Sequence, residues 1–146
     1  MADVLSKQDV QDVLEVIKQL YLEDRIPWIC GYSGGKDSTA IVQLVWMALR
    51  QIPKEKRVKT VHVISTDTMV ESPVVAVWSS QSLKKMAEAA AAEDLPIIPH
   101  RLTPEIRNTY WVQVIGRGYP YPRQNFRWCT DRMKIAPANN FIKEIL

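Results

Sequence analysis

The chain has 146 residues, 47% hydrophobic and 24% charged, with nine prolines and five glycines. These proportions exclude a disordered or collagen-like chain, and the length suits one core spanning residues 1–146 as a single domain. No apolar run approaches the roughly 18–20 residues that cross a bilayer, and the polar start MADVLSKQDV does not read as a secretory leader, so no membrane partner is expected. Two distant cysteines, Cys30 and Cys129, make neither a disulfide framework nor a zinc pair, and a cytoplasmic location is expected.

The net charge of +3 is unevenly spread. Arg117, Arg123, Arg127, Arg132 and Lys134 face one acid in that stretch, Asp131, which leaves the rest of the chain at −1. A basic segment on a near-neutral body suggests contact with a polyanion.

In chain order, residues 7–23 read as an amphipathic helix with Ser6 as N-cap and Asp9 in the first turn. Pro27 ends that pattern, and residues 28–32 read as a short buried strand. A helix over 36–51 follows, apolar on most sides. After the polar connection 53–57, residues 60–64 form a second strand. Pro73 opens a long helix that closes near Glu93 in an alanine-rich turn. Residues 95–102 suit a third strand near an edge, because Pro96 and Pro99 lack the ladder donor. A fourth helix is expected from Thr103-Pro104-Glu105 to Gly116, then a basic, aromatic loop, then a last helix from Pro137. Strands alternating with helices imply an α/β fold with an open, doubly wound parallel sheet of Rossmann-like kind. Three strands are few for that architecture, and the expectation is a domain incomplete at its C-terminal end.

The strongest local signal lies between the first strand and the second helix: Ser33, Gly34, Gly35, Lys36, Asp37, Ser38 and Thr39. Two glycines free the backbone and admit close approach of a ligand. The turn then offers amide N–H groups at a helix N-terminus, where the dipole favours phosphate. Lys36 adds positive charge, and the hydroxyls add donors. Asp37 would repel a phosphate by itself and suits either a cap or a Mg²⁺ bridging phosphate oxygens. The spacing is that of neither a Walker A loop nor a dinucleotide fingerprint.

The loop resembles the SGGxDS pyrophosphatase loop (PP-loop) of the adenylating ATP pyrophosphatases, at every defined position. Two further stretches narrow the resemblance. Thr66-Asp67-Thr68-Met69-Val70-Glu71-Ser72-Pro73 is similar to the Asp-Thr loop of the phosphoadenylylsulfate reductase branch, and Arg127-Trp128-Cys129-Thr130-Asp131-Arg132-Met133-Lys134-Ile135-Ala136-Pro137 to its Cys…Lys…Pro segment. Where cluster-bearing reductases carry a Cys-Cys pair, only Cys129 stands, followed by Thr130. Together these stretches look most like the DndC-type sulfurtransferases of bacterial DNA phosphorothioation.

That resemblance implies an adenine nucleotide α-hydrolase-like fold, with ATP and Mg²⁺ at the loop. It also implies an iron–sulfur cluster in the full-length protein, DNA as substrate, and a cysteine desulfurase and other phosphorothioation proteins as partners. A C-terminal portion with further strands and cluster cysteines would lie beyond this chain. The expected catalytic residues are Lys36, Asp37, Asp67 and Cys129. Arg117, Arg123, Arg127, Arg132 and Lys134 are the expected DNA or substrate contacts. Cys129, among positive neighbours that favour thiolate, is either a persulfide carrier or one cluster ligand. The alternatives are a reductase of adenylyl sulfate or phosphoadenylyl sulfate, in which no ATP is split, and a nucleotide- or partner-binding fragment without turnover.

The remaining candidates read as structural. Cys30 is a small buried hydrophobe, and His62 a core or interface residue. Trp28, Trp46 and Trp78 are expected in the core, whereas Trp128, Tyr119 and Tyr121 accompany the arginines as candidates for stacking on a base.

Overall fold

The computed structural model describes residues 6–145. The chain is α/β, with a small parallel sheet of three strands flanked by helices. The strands are β1 (Trp28–Gly31), β2 (Val61–Thr66) and β3 (Ile97–Leu102), hydrogen-bonded in the order β1-β2-β3. Helix α1 (Lys7–Glu23) precedes β1, and α2 (Lys36–Gln51) and α3 (Pro73–Ala92) connect the strands. Two compact units are distinguished, residues 6–63 with 86–98 and residues 64–85 with 99–145.

In the first unit, α1 starts where the sequence predicts. Ser6 Oγ accepts the Asp9 N–H at 3.1 Å, and the Asp9 carboxylate accepts the Ser6 N–H at 2.7 Å, which completes a capping box. The helix buries Leu14 and Tyr21 and packs on α2. That second helix buries Val42, Val45, Ala48 and Leu49 but leaves Ile41 and Met47 exposed, so it is amphipathic rather than apolar-covered on most sides. Strand β2 is the middle strand, with Val61 and Val63 fully buried.

One buried cation was not legible from the sequence. The Lys59 side chain is wholly enclosed, with Nζ 2.6 Å from Asp24 and over the rings of Tyr21 and Trp28 at 5.4 and 5.0 Å. A buried ammonium needs such partners, because enclosing it without them is costly. Trp46 donates its indole N–H to Glu93 at 3.1 Å.

Helix α3 ends without glycine. Asp94 takes a left-handed conformation at φ 52°, while Leu95 N–H reaches Ala90 O at 2.9 Å and Asp94 N–H reaches Ala91 O at 3.3 Å. That is a Schellman closure, with Leu95 buried behind it. Strand β3 consequently starts at Ile97, after Pro96, and Pro99 sits in the outer strand of the described sheet, where a missing donor is tolerated.

The second unit departs further from expectation. The segment after β3 is extended at Glu105 and Thr109 around a single 3₁₀ turn, Ile106–Asn108, so the fourth helix starts later than Thr103. Residues 110–117 are helical, with a π segment at Val112–Gly116. What the sequence suggests as loop up to Ala136 is helical from Trp128: a short α4 (Trp128–Thr130), a π segment (Asp131–Ile135), then α5 (Ala136–Ile145).

The aromatic residues explain that second helical run. Trp128 is 6% exposed, donates its indole N–H to Pro120 O at 3.0 Å, stacks on Tyr110 and meets Tyr119 edge-on. Trp128 is therefore a core residue and presents no face for a base. Trp78, expected in the core, is 49% exposed on α3, beside the exposed Val74 and Val77.

Among the described residues, no helix is long and apolar enough to cross a membrane.

Candidate functional site

Residues 33–39 lie in the first unit, where β1 runs out and α2 begins. Gly34 takes φ 76°, a left-handed conformation that glycine adopts without strain. Gly35, at φ −76° and ψ 168°, is the N-cap of α2, with no side chain to bond the first-turn amides. A Cβ built at Gly35 would touch only Ser33 Oγ, at 3.4 Å, so this glycine keeps the outer surface of the turn free rather than relieving an internal clash.

The hydroxyls shape the loop from within. Ser38 Oγ accepts the Ser33 N–H at 3.3 Å and donates to Gly35 O at 3.1 Å. Thr39 Oγ1 donates to the same carbonyl at 2.7 Å, and Thr39 N–H joins it at 3.0 Å. Those two hydroxyl protons point to the loop's own carbonyl, not outward to an anion as the sequence reading expects. The outward donors are the first-turn amides of Lys36, Asp37 and Ser38, which have no intrahelical acceptor, and the exposed Lys36 ammonium. The result is an open, donor-rich helix start sixteen residues long at its back. Asp37 is exposed in the first turn, where its carboxylate suits the helix dipole and fits as an oxygen ligand for Mg²⁺ shared with phosphates.

Cys30, on β1, is half-buried, and burial pushes its thiol above the ordinary value. That environment disfavours thiolate, as the sequence reading expects.

The other predicted residues lie in the second unit. Asp67 follows β2, its side chain 13% exposed, and receives Arg101 as an ion pair and the Met69 N–H at 2.8 Å. Burial acts to raise its pKa, but the Arg101 hydrogen bond and charge and the Met69 N–H outweigh it, and the carboxyl ends below its ordinary value. Thr68 donates to Glu71 at 3.1 Å, and Met69 takes φ 62°, so the turn after β2 is closed by its own side chains. Arg101 was missed by sequence reasoning. The available signal was its place at the carboxyl end of β3, the edge at which open α/β sheets take ligands.

Cys129 is a half-buried free thiol inside α4. Among the described residues, no group of three or more His, Cys, Asp or Glu side chains is arranged to hold a metal. The side chains present do not fit an iron–sulfur cluster, which takes four ligands.

The basic residues are not equivalent. Arg117, Arg123, Arg127 and Lys134 are exposed, with Arg123 pinned in a tight turn by paired backbone bonds to Phe126. Arg132 is half-buried: its guanidinium lies 4.7 Å from the Tyr119 ring centre and donates to the Tyr119 hydroxyl at 3.2 Å. Tyr119 is also stacked on Phe126, which leaves Tyr121, 66% exposed, as the free aromatic of this stretch.

No family model matches this chain. It is similar to MJ0066, an uncharacterized protein of Methanocaldococcus jannaschii, at 28% identity over 134 residues. That alignment takes in 92% of this chain but only 23% of the archaeal protein.

Proposed function

We propose that this chain is the ATP-binding part of an adenylating sulfurtransferase of the DndC type, acting on the DNA backbone. The finer fold assignment belongs to the same proposal: an adenine nucleotide α-hydrolase-like, doubly wound domain. The observation that carries the reading is the loop at 33–39, with Gly34 left-handed, Gly35 bare, and free first-turn amides facing outward at an exposed helix start.

The amides and Lys36 bind the phosphates of ATP and hold the pyrophosphate as a leaving group. Bound Mg²⁺ supplies charge neutralisation on the phosphate oxygens, and Asp37 is the residue of this loop that would hold it. A DNA phosphate oxygen attacks the α-phosphorus, the bond to the β-phosphate oxygen breaks, and pyrophosphate departs. The outer sulfur of a persulfide, loaded by a cysteine desulfurase, then attacks the adenylated DNA phosphorus and displaces AMP. A thiol reductant cleaves the S–S bond of the adduct, which leaves the phosphorothioate and a free thiol. The exposed Arg117, Arg123, Arg127 and Lys134 are the proposed DNA contacts. Cys129 is the proposed sulfur relay, as a persulfide.

The test is mass-spectrometric detection of AMP and pyrophosphate formed from MgATP, with and without DNA. DNA-dependent formation of both, lost in Gly35→Val, is the expected result. ATP bound with equal affinity by wild type and Gly35→Val would overturn the assignment of the loop.

A further inference from the structure

Within the second unit, a cleft of about 230 Å³ is bounded by the end of β3, the 3₁₀ turn and α5. Arg101 and Arg132 both line it, together with Thr103, Asn108 and Asn140. Each guanidinium is oriented by a residue outside that lining: Arg101 by Asp67, Arg132 by the ring and hydroxyl of Tyr119. Each of these holding bonds engages one terminal nitrogen of a fork that carries five N–H donors. Arg132 is held by a neutral phenol rather than a carboxylate, so its charge is not cancelled by that contact.

Asp67 already offsets the charge of Arg101, so the attraction for an anion in this cleft comes chiefly from Arg132, with Arg101 adding its remaining N–H donors. Of the carboxylates in the same lining, Glu105 is paired with Arg107 at 2.7 Å, and Glu144 is the other. Two carboxylates in the lining disfavour a run of phosphates more than they disfavour one compact anion. The cleft holds such an anion with a few waters, at about 30 Å³ for each water.

We infer that this cleft binds a single tetrahedral oxyanion, sulfate or a phosphate group, clasped by Arg101 and Arg132 and completed by the hydroxyl of Thr103 and the amides of Asn108 and Asn140. Planar forks delivering paired N–H groups suit such oxygens, and charge assistance strengthens each bond. The inference does not rest on the loop at 33–39.

The test is calorimetric titration of the intact chain with inorganic phosphate, sulfate and acetate at constant ionic strength. Phosphate or sulfate binds saturably, and acetate binds at least about tenfold more weakly. Arg132→Gln weakens the tetrahedral anion at least about tenfold, the loss expected for a charge-assisted bond. Asn140 is exposed, so Asn140→Asp places a carboxylate in the cleft without burying it, and it abolishes binding even if Arg132→Gln fails to fold. Lys143→Gln, on the same helix but outside the lining, leaves the affinity within about twofold. Absence of saturable binding, equal binding of acetate, or unchanged affinity in a folded Asn140→Asp would overturn the inference. Displacement of phosphate by a short DNA duplex would also overturn it, and would reassign Arg101 and Arg132 to the nucleic-acid backbone.

Discussion

The two glycines of the loop should respond differently to the same substitution, and the difference follows from their dihedral angles. Gly34 sits at φ 76°, where a Cβ approaches the following carbonyl oxygen. An L-residue there costs about 1–2 kcal/mol. Gly35 sits at φ −76° and ψ 168°, which any residue adopts, and its added Cβ makes one ordinary contact, with Ser33 Oγ at 3.4 Å. Alanine at Gly35 therefore costs nothing in strain, and its gain of about 0.4–1 kcal/mol from restricting the unfolded chain is offset by alanine's poorer fit at an N-cap. Gly34→Ala should thus lower stability by about 1–2 kcal/mol, and Gly35→Ala should leave it close to level. Urea denaturation followed by circular dichroism reads both values, and the melting temperature should move by about 2–4 °C per kcal/mol in a chain of this size.

The ligand test runs the other way. Gly35 is where a side chain would stand over the outward amides of α2, so Gly35→Val should remove ATP affinity while the fold stays intact. Equal stability of Gly34→Ala and Gly35→Ala would refute the left-handed assignment. A stable Gly35→Val with full nucleotide affinity would refute the cradle.

Three further expectations concern other residues. The folded pKa of Asp67 is depressed, so its stabilising contribution is complete above the ordinary value of 3.8 and is lost as pH falls through the lower folded value; Asp67→Asn should remove that acid-limb dependence in pH-resolved denaturation, and an unchanged profile would mean that the Arg101 pair contributes nothing. Trp128→Ala should cost about 3–5 kcal/mol, as for other buried large aromatics, whereas Tyr121→Ala should stay within about 0.5 kcal/mol and weaken DNA binding by about 1–3 kcal/mol if Tyr121 stacks on a base; the reverse pattern would put Trp128 back on the surface. In timed alkylation read by peptide mass, Cys129 should label before Cys30, whose thiol is raised by burial, and faster labelling of Cys30 would remove Cys129 as the sulfur relay.

Where local chemistry decides, the sequence was enough. The box of Ser6 and Asp9 sets the start of α1, and the Pro73 position sets the start of α3, because each bond there is made within a few residues. The loop at 33–39 was legible for the same reason: its glycines, its cap and its amides are all contiguous. Positions decided by distant partners were not legible. Lys59 looks like a surface lysine until Tyr21, Asp24 and Trp28 close around it from α1, its C-cap and β1. Arg101 looks unremarked in a proline-interrupted strand until Asp67 reaches it. Residues 128–135 read as loop because polar and charged side chains crowd them, whereas the burial of Trp128 that anchors the helix there is set by Tyr110 and Tyr119, many residues away.

The same distinction separates the two arginine populations. An arginine that serves only to attract a polyanion works best exposed, since screening and counterion release act at the surface. Arg123 and Arg127 meet that description. An arginine that must present its donors to one oxyanion works best with its fork fixed beforehand, because the ordering entropy is then not lost on binding. Arg132 on Tyr119 and Arg101 on Asp67 meet the second description. A count of positive charge along residues 117–134 merges Arg132 with its exposed neighbours and omits Arg101 altogether. The aromatic packing around Trp128 and Tyr119, together with the Asp67 carboxylate at Arg101, divides steering charge from a prearranged grip.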